Sequence, residues 1–272
     1  MSPALAADIV LIAAATLYAL ATVLYLSQLM GRPGRGGRIA MTTATLLHGL
    51  HFFAVSAIVR ACPVTGIHTA TSLMALMTSV GFLVAARRPR VEVVGAFVAP
   101  LALMAVLAAR FVGASGRGIE VTKTLHGVVL PLHVTSILVA SAFFAVASAI
   151  SATYLVQERQ LKAKRSIALL SKLPSLDTLD RLAARFLVAG FPLLTLGVAT
   201  GLLWIGNAKM GSSQWFRQGV GLLAWVQLAV VLFMRGAGGW RGRRAAYGTI
   251  AGFLCAMLVF GLYLLHSTGV TQ

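Results

Sequence analysis

Residues 127–156 read GVVLPLHVTSILVASAFFAVASAISATYLV, thirty positions without an Asp, Glu, Lys or Arg. A hydrocarbon core about 30 Å thick takes roughly 20 apolar residues of helix to cross. Strands of a membrane barrel would alternate apolar and polar residues, and this run does not. Its backbone groups must therefore be paired within a helix. Working outward in both directions, comparable runs fall at about 8–30, 39–60, 69–86, 91–112, 182–206, 217–235 and 245–266. The sequence thus predicts an all-α, polytopic membrane protein of eight transmembrane helices, a single integral membrane domain over 1–272. Composition agrees: 58% of residues are hydrophobic and 11% charged, against roughly 25% charged in soluble domains.

The net charge of +17 does not point to nucleic acid. Seventeen of the 23 lysines and arginines fall in four connections, 31–38, 87–90, 157–185 and 235–244. Basic residues gathered on alternate loops follow the positive-inside pattern, which assigns these loops to the cytoplasm. Both termini are then extracytoplasmic. Within the third loop, 157–181 is expected to form a cytoplasmic amphipathic connector at the membrane surface. Ser175 is placed to cap a helix there, with Asp177 and Asp180 in its first turns. Cys62 in a loop and Cys255 in a span are far apart and form no metal-ligand pair. Met1 to Asp8 lacks a basic leader and a cleavage site, so the first run is expected to be a retained span. Tyr18 and Tyr25 within it carry no signal of their own.

Histidines and tryptophans are the polar punctuation of these runs. Trp204-Ile-Gly-Asn-Ala-Lys-Met-Gly-Ser-Ser-Gln-Trp215-Phe216 is an aromatic, nearly uncharged loop between two long runs. His133, just inside span 5, and His266, at the end of span 8, fall on the same outward side by the span count. Trp204 and Trp215 can be interfacial anchors. They can also form a flat platform between the two imidazoles, which suits a bound haem with histidine axial ligands. Lys123, Lys209 and Arg217 lie on that side and can meet carboxylates of such a group. His48 and His51 form an i,i+3 pair near mid-membrane. Interhelical hydrogen bonding and a second, mid-membrane cofactor site both fit them. His68, at the outer end of span 3, reads as solvated. Pro192, Thr195, Gly197 and Gly201 mark span 6 as one that bends and packs closely.

Six stretches in this order resemble the cytochrome c assembly protein family, of the CcsA and ResC type and related to CcmC: Leu132-His133-Val134; 154–162, YLVQERQLK; 173–181, LPSLDTLDR; 190–197, GFPLLTLG; 239–246, GWRGRRAA; and His266-Ser267. Members carry a tryptophan-rich outward segment between two outward, haem-ligating histidines. His133 and His266 match these histidines. Trp204 matches the tryptophan that opens the segment, Trp215 the one before its aspartate, and Trp225 the one in the following span. Phe216 stands in the aspartate's place, and Ala208, Lys209, Gly211 and Gln214 thin the tryptophan-rich core. Phe233 stands about where an inward histidine is found. In this the chain is similar to the HemX-like and YpjD-like members.

The resemblance implies haem b as cofactor, held by His133 and His266 with Trp204 and Trp215 against the ring, and His48 and His51 as a subsidiary site. It implies presentation of haem to apocytochrome c at the extracytoplasmic face of a bacterial inner membrane. A ResB-like membrane subunit is the expected partner, with the chain as the CcsA-like half of a haem lyase. The alternatives are a non-catalytic, HemX-type regulator of haem synthesis, which a neighbouring glutamyl-tRNA reductase gene would support, and a secondary transporter. Against the transporter, the halves show no internal repeat. The chain carries no nucleophile–base pair and no phosphate loop.

Overall fold

A computed structural model describes residues 3–30, 36–59, 67–88, 90–111, 129–163, 174–205 and 212–267. Eight α-helices fill almost all of them: α1 (Pro3–Leu29), α2 (Gly36–Val59), α3 (Ile67–Ala85), α4 (Gly95–Phe111), α5 (Val129–Lys162), α6 (Leu176–Ile205), α7 (Ser212–Gly236) and α8 (Arg243–Ser267). A 3₁₀ turn, Val91–Val94, leads into α4. Each expected span has its helix. Seven are long and apolar enough to cross a membrane, and the apolar part of α3, Thr69–Ala85, is shorter. Pro100 and Pro192 lie inside α4 and α6 without ending either helix.

The span limits differ from expectation around the connector. α5 does not stop at 156 but continues to Lys162, and α6 starts at 176 rather than 182. Among the described residues, the two ends of the 157–181 segment are thus extensions of spans. Its residues 164–173 lie outside the described residues. Charge does not end a helix when it is placed at helical spacing. Glu158 pairs with Lys162 at 2.7 Å and Asp177 pairs with Arg181, each four residues apart. The expected cap is present: Ser175 Oγ accepts from the Thr178 amide at 3.2 Å.

α5 is the hub. It packs along α6 and also against α3 and α8, while α1 pairs with α2, α3 with α4 and α7 with α8. In lipid there is little hydrophobic drive between helices, so close packing has to hold them together. Small residues on α6 allow it. A Cβ at Gly190 would stand 2.9 Å from the Phe143 Cβ, and one at Gly197 would run into the Ile137 side chain. α8 approaches α7 the same way, with Gly248 against Val231 and Gly252 against Leu228.

One polar clamp fixes the end of the bundle that carries the basic connections. Asp180 of α6 and Arg235 of α7 pair at 2.9 Å, their side chains only 13% and 11% exposed. Arg235 also donates to the Asp180 backbone carbonyl at 3.0 Å. The Gly242 amide donates to the same carboxylate oxygen at 3.0 Å. Gly239 and Gly242 both have positive φ, 63° and 61°, which glycine adopts without a Cβ clash. That turn brings the Gly242 amide to the carboxylate, so one side chain joins α6, α7 and the α7–α8 turn.

Tyr18 and Tyr25 are more than ordinary span residues. With Ala7, Ala14 and Ala21 they form the fully buried stripe of α1 at helical spacing. The Tyr25 ring fills the space left by Gly95, where a Cβ would lie 2.6 Å from it. The Tyr18 hydroxyl faces His48 of α2.

Candidate functional site

His133 is the fifth residue of α5 and is half-buried against the far end of α6. Its Nδ1 lies 2.8 Å from the Gly197 carbonyl oxygen and 3.1 Å from Thr200 Oγ1. A backbone carbonyl only accepts, so Nδ1 must carry the proton and donate. In the neutral ring the lone pair is then on Nε2. A histidine whose Nδ1–H is held by a carbonyl has the tautomer and orientation of a metal ligand fixed. Thr200 Oγ1 in turn donates into the helix backbone, 2.8 Å from the Leu196 carbonyl oxygen and 3.0 Å from that of Gly197. Gly201 completes the seat: a Cβ there would stand 2.9 Å from His133 Cε1. Any larger residue would push the ring off its carbonyl.

The helix order carries three further residues to this end. α5 and α6 run antiparallel, as the contact from His133 to Gly201 requires. α6 and α7 are antiparallel as well: Asp180 meets Arg235 near one end, and Trp225 Nε1 donates to Thr195 Oγ1 at 3.0 Å farther along. α8 returns beside α7, with Gly248 opposite Val231 and Gly252 opposite Leu228. Trp204 is therefore near the end of α6, Trp215 in the first turn of α7 and His266 in the last turn of α8, all at the His133 end of the bundle. Trp215 is 55% exposed and Phe216 beside it 60%. The side chains of Trp204 and His266, and residues 206–211 between α6 and α7, lie outside the described residues. So do Lys123, His126 and Lys209 and the side chains of His68 and Arg217. Trp225 stacks on Phe191 at 5.6 Å and 25°, joining α7 to α6.

His48 and His51 belong to a different part of the bundle. His48 is fully buried. Its Nε2 lies 2.8 Å from Ser72 Oγ of α3 and its Nδ1 3.4 Å from the Tyr18 hydroxyl of α1. The two rings meet edge-on at 5.9 Å. Both nitrogens are thus engaged in tying three helices together. His51, half-buried, donates from Nδ1 to the Ala7 carbonyl oxygen at 2.8 Å. Among the described residues no three His, Cys, Asp or Glu side chains cluster as a metal site.

Thr200, Ser72 and Tyr18 were not legible as partners of these histidines. Serine and threonine are common in membrane spans as local backbone bonders, and nothing in their spacing says which ring they meet.

Residues 10–269 match the sequence model of a family described as "Cytochrome C assembly protein". The chain belongs to this family. Among similar proteins is the cytochrome c biogenesis protein CcsA of Gloeothece citriformis, 32% identical over 133 residues, 42% of this chain and 40% of that one. The CcsA protein of a Picosynechococcus species is 35% identical over 85 residues, 31% of this chain and 25% of that one. Protein HemX of Brevibacillus brevis is 37% identical over 91 residues, 34% of this chain and 33% of that one. The matched stretches thus span well under half the length of these relatives. No solved structure matches the chain. Membership in the assembly family agrees with an all-helical chain crossing the membrane several times.

Proposed function

We propose that this protein handles haem in cytochrome c maturation, holding haem b at the extracytoplasmic face through His133 and His266. The observation that carries the reading is the seat of His133. Its Nδ1–H is fixed by the Gly197 carbonyl and its ring fits against Gly201, which supports a reading in which Nε2 is the ligating atom. His266 supplies the second imidazole from α8. Trp204 and Trp215 flank the ring, and Lys123, Lys209 and Arg217 meet the propionates. The basic connections at the opposite end orient this site away from the cytoplasm. The membrane is then a bacterial inner membrane with the site facing the periplasm.

Haem, when bound, supplies the groups that become thioethers on the cysteines of an apocytochrome c. The chain's own residues orient the ring and keep its iron covered. A ResB-like membrane subunit is the partner that completes the machinery. His48 and His51 are a subsidiary site at most. To ligate, His48 would have to release Ser72 or Tyr18, whereas His51 already has Nδ1 as donor and its lone pair on Nε2. A regulatory role is the second reading, favoured by the similarity to HemX.

Deleting the gene from its source organism separates the two. The maturation reading expects covalent, haem-stained c-type cytochromes to fall at least tenfold while glutamyl-tRNA reductase stays constant. Unchanged c-type cytochromes with a raised reductase level would overturn it in favour of regulation.

A further inference from the structure

Five carboxylates lie among the described residues, and each is already paired: Asp8 with Arg110, Glu92 with Arg38, Glu158 with Lys162, Asp177 with Arg181 and Asp180 with Arg235. Arg88, just past α3, and Arg185 of α6 have no carboxylate within ion-pairing distance among the described residues. Both line one cavity of about 240 Å³. α3 and α6 each pack on α5 and leave this slot between them. Val84 and the buried Leu182 and Phe186 wall it, and Phe143 of α5 lies at its back. The Phe143 and Phe186 rings are 5.8 Å apart. Val84 is 52% exposed.

Two guanidinium groups at one small cavity repel each other unless an anion lies between them. An anion alone would leave the apolar walls unused. What satisfies both is a charged head on an apolar tail. The slot is at the basic end of the bundle, the end that the positive-inside pattern assigns to the cytoplasmic surface of the membrane. It is also smaller than the roughly 300–1,000 Å³ that enclose a drug-sized ring system, so a porphyrin does not fit. We propose that the slot between α3 and α6 binds an anionic phospholipid, its phosphate between Arg88 and Arg185 and an acyl chain along Val84, Phe143 and Phe186. Basic pockets between membrane helices recognise such headgroups through charge-assisted hydrogen bonds.

Purified protein in phosphatidylcholine nanodiscs, titrated with phosphatidylglycerol and followed by native mass spectrometry, tests this. Wild type is expected to retain phosphatidylglycerol at least tenfold over phosphatidylcholine. An R88Q/R185Q variant is expected to lose that preference. R88K/R185K should keep most of it, and R241Q/R244Q, with the same charge removed from exposed positions in the α7–α8 turn and the first turn of α8, all of it. The proposal is overturned if R88Q/R185Q retains as much lipid as wild type, or if R241Q/R244Q loses as much. It is also overturned if inorganic phosphate displaces the lipid, which would make the slot a free-phosphate site. A misfolded glutamine variant would show as a lowered melting midpoint in phosphatidylcholine alone. The R88K/R185K and R241Q/R244Q comparison then decides.

Discussion

His133→Gly is expected to lose haem at least tenfold relative to wild type, and added imidazole is expected to restore it. The substitution removes a ring and leaves a cavity of its shape between α5 and Gly201. A free imidazole entering that cavity finds the Gly197 carbonyl and Thr200 Oγ1 where the Nδ1 bonds were made. Removing a residue that only orients a metal ligand costs about 10–100-fold in affinity, so losing the ligand itself should cost no less. Thr200→Val tests the orienting part alone. It keeps the Gly197 carbonyl and removes only the hydroxyl, and a loss of a few-fold is expected. Haem content by pyridine haemochrome reads all three proteins. A His133→Gly protein that retained haem at wild-type level, or one that imidazole did not rescue, would count against ligation by this ring.

Asp180→Ala is expected to lower stability by about 3 kcal/mol, the range for breaking a buried ion pair on one side. Arg235 would be left nearly buried with no counter-charge, and the Gly242 amide would lose its acceptor. In a chain of this size that corresponds to a fall of about 10 °C in the melting midpoint. Removing both charges, Asp180→Asn with Arg235→Gln, should recover a good part of the loss, because no orphaned charge remains. Thermal unfolding of detergent-solubilised protein measures both. Equal destabilisation by the single and double variants would show that the pair is not what holds the α6–α7 end together.

How far the sequence could be read depends on what each feature leaves in it. The spans were legible because an uncharged run of thirty residues, such as 127–156, has no other solution in a bilayer. Helix ends were less so. Arg159 and Lys162 look like the start of a loop, yet the Glu158–Lys162 pair lets α5 run on past them. Ser175 was legible as a cap because its acceptor role depends only on the residues just after it. Burial faces were not: α1 is apolar on every side, and only the spacing of Tyr18 and Tyr25 hinted at its stripe. The histidines stood out as rare ionisable groups in apolar runs. Their partners did not, because the Gly197 and Ala7 groups they meet are backbone carbonyls, which no side chain announces. Arg235 read as topology alone, and its partner Asp180 lies 55 residues earlier.

The central claim is that two imidazoles from separate helices, His133 and His266, hold one haem. The absorption spectrum of the purified protein, recorded beside that of a His133→Ala, His266→Ala double variant, tests it most directly. The account predicts a haem Soret band in the wild type and its loss from the variant at equal protein. A double variant whose Soret band kept its height and position would contradict it.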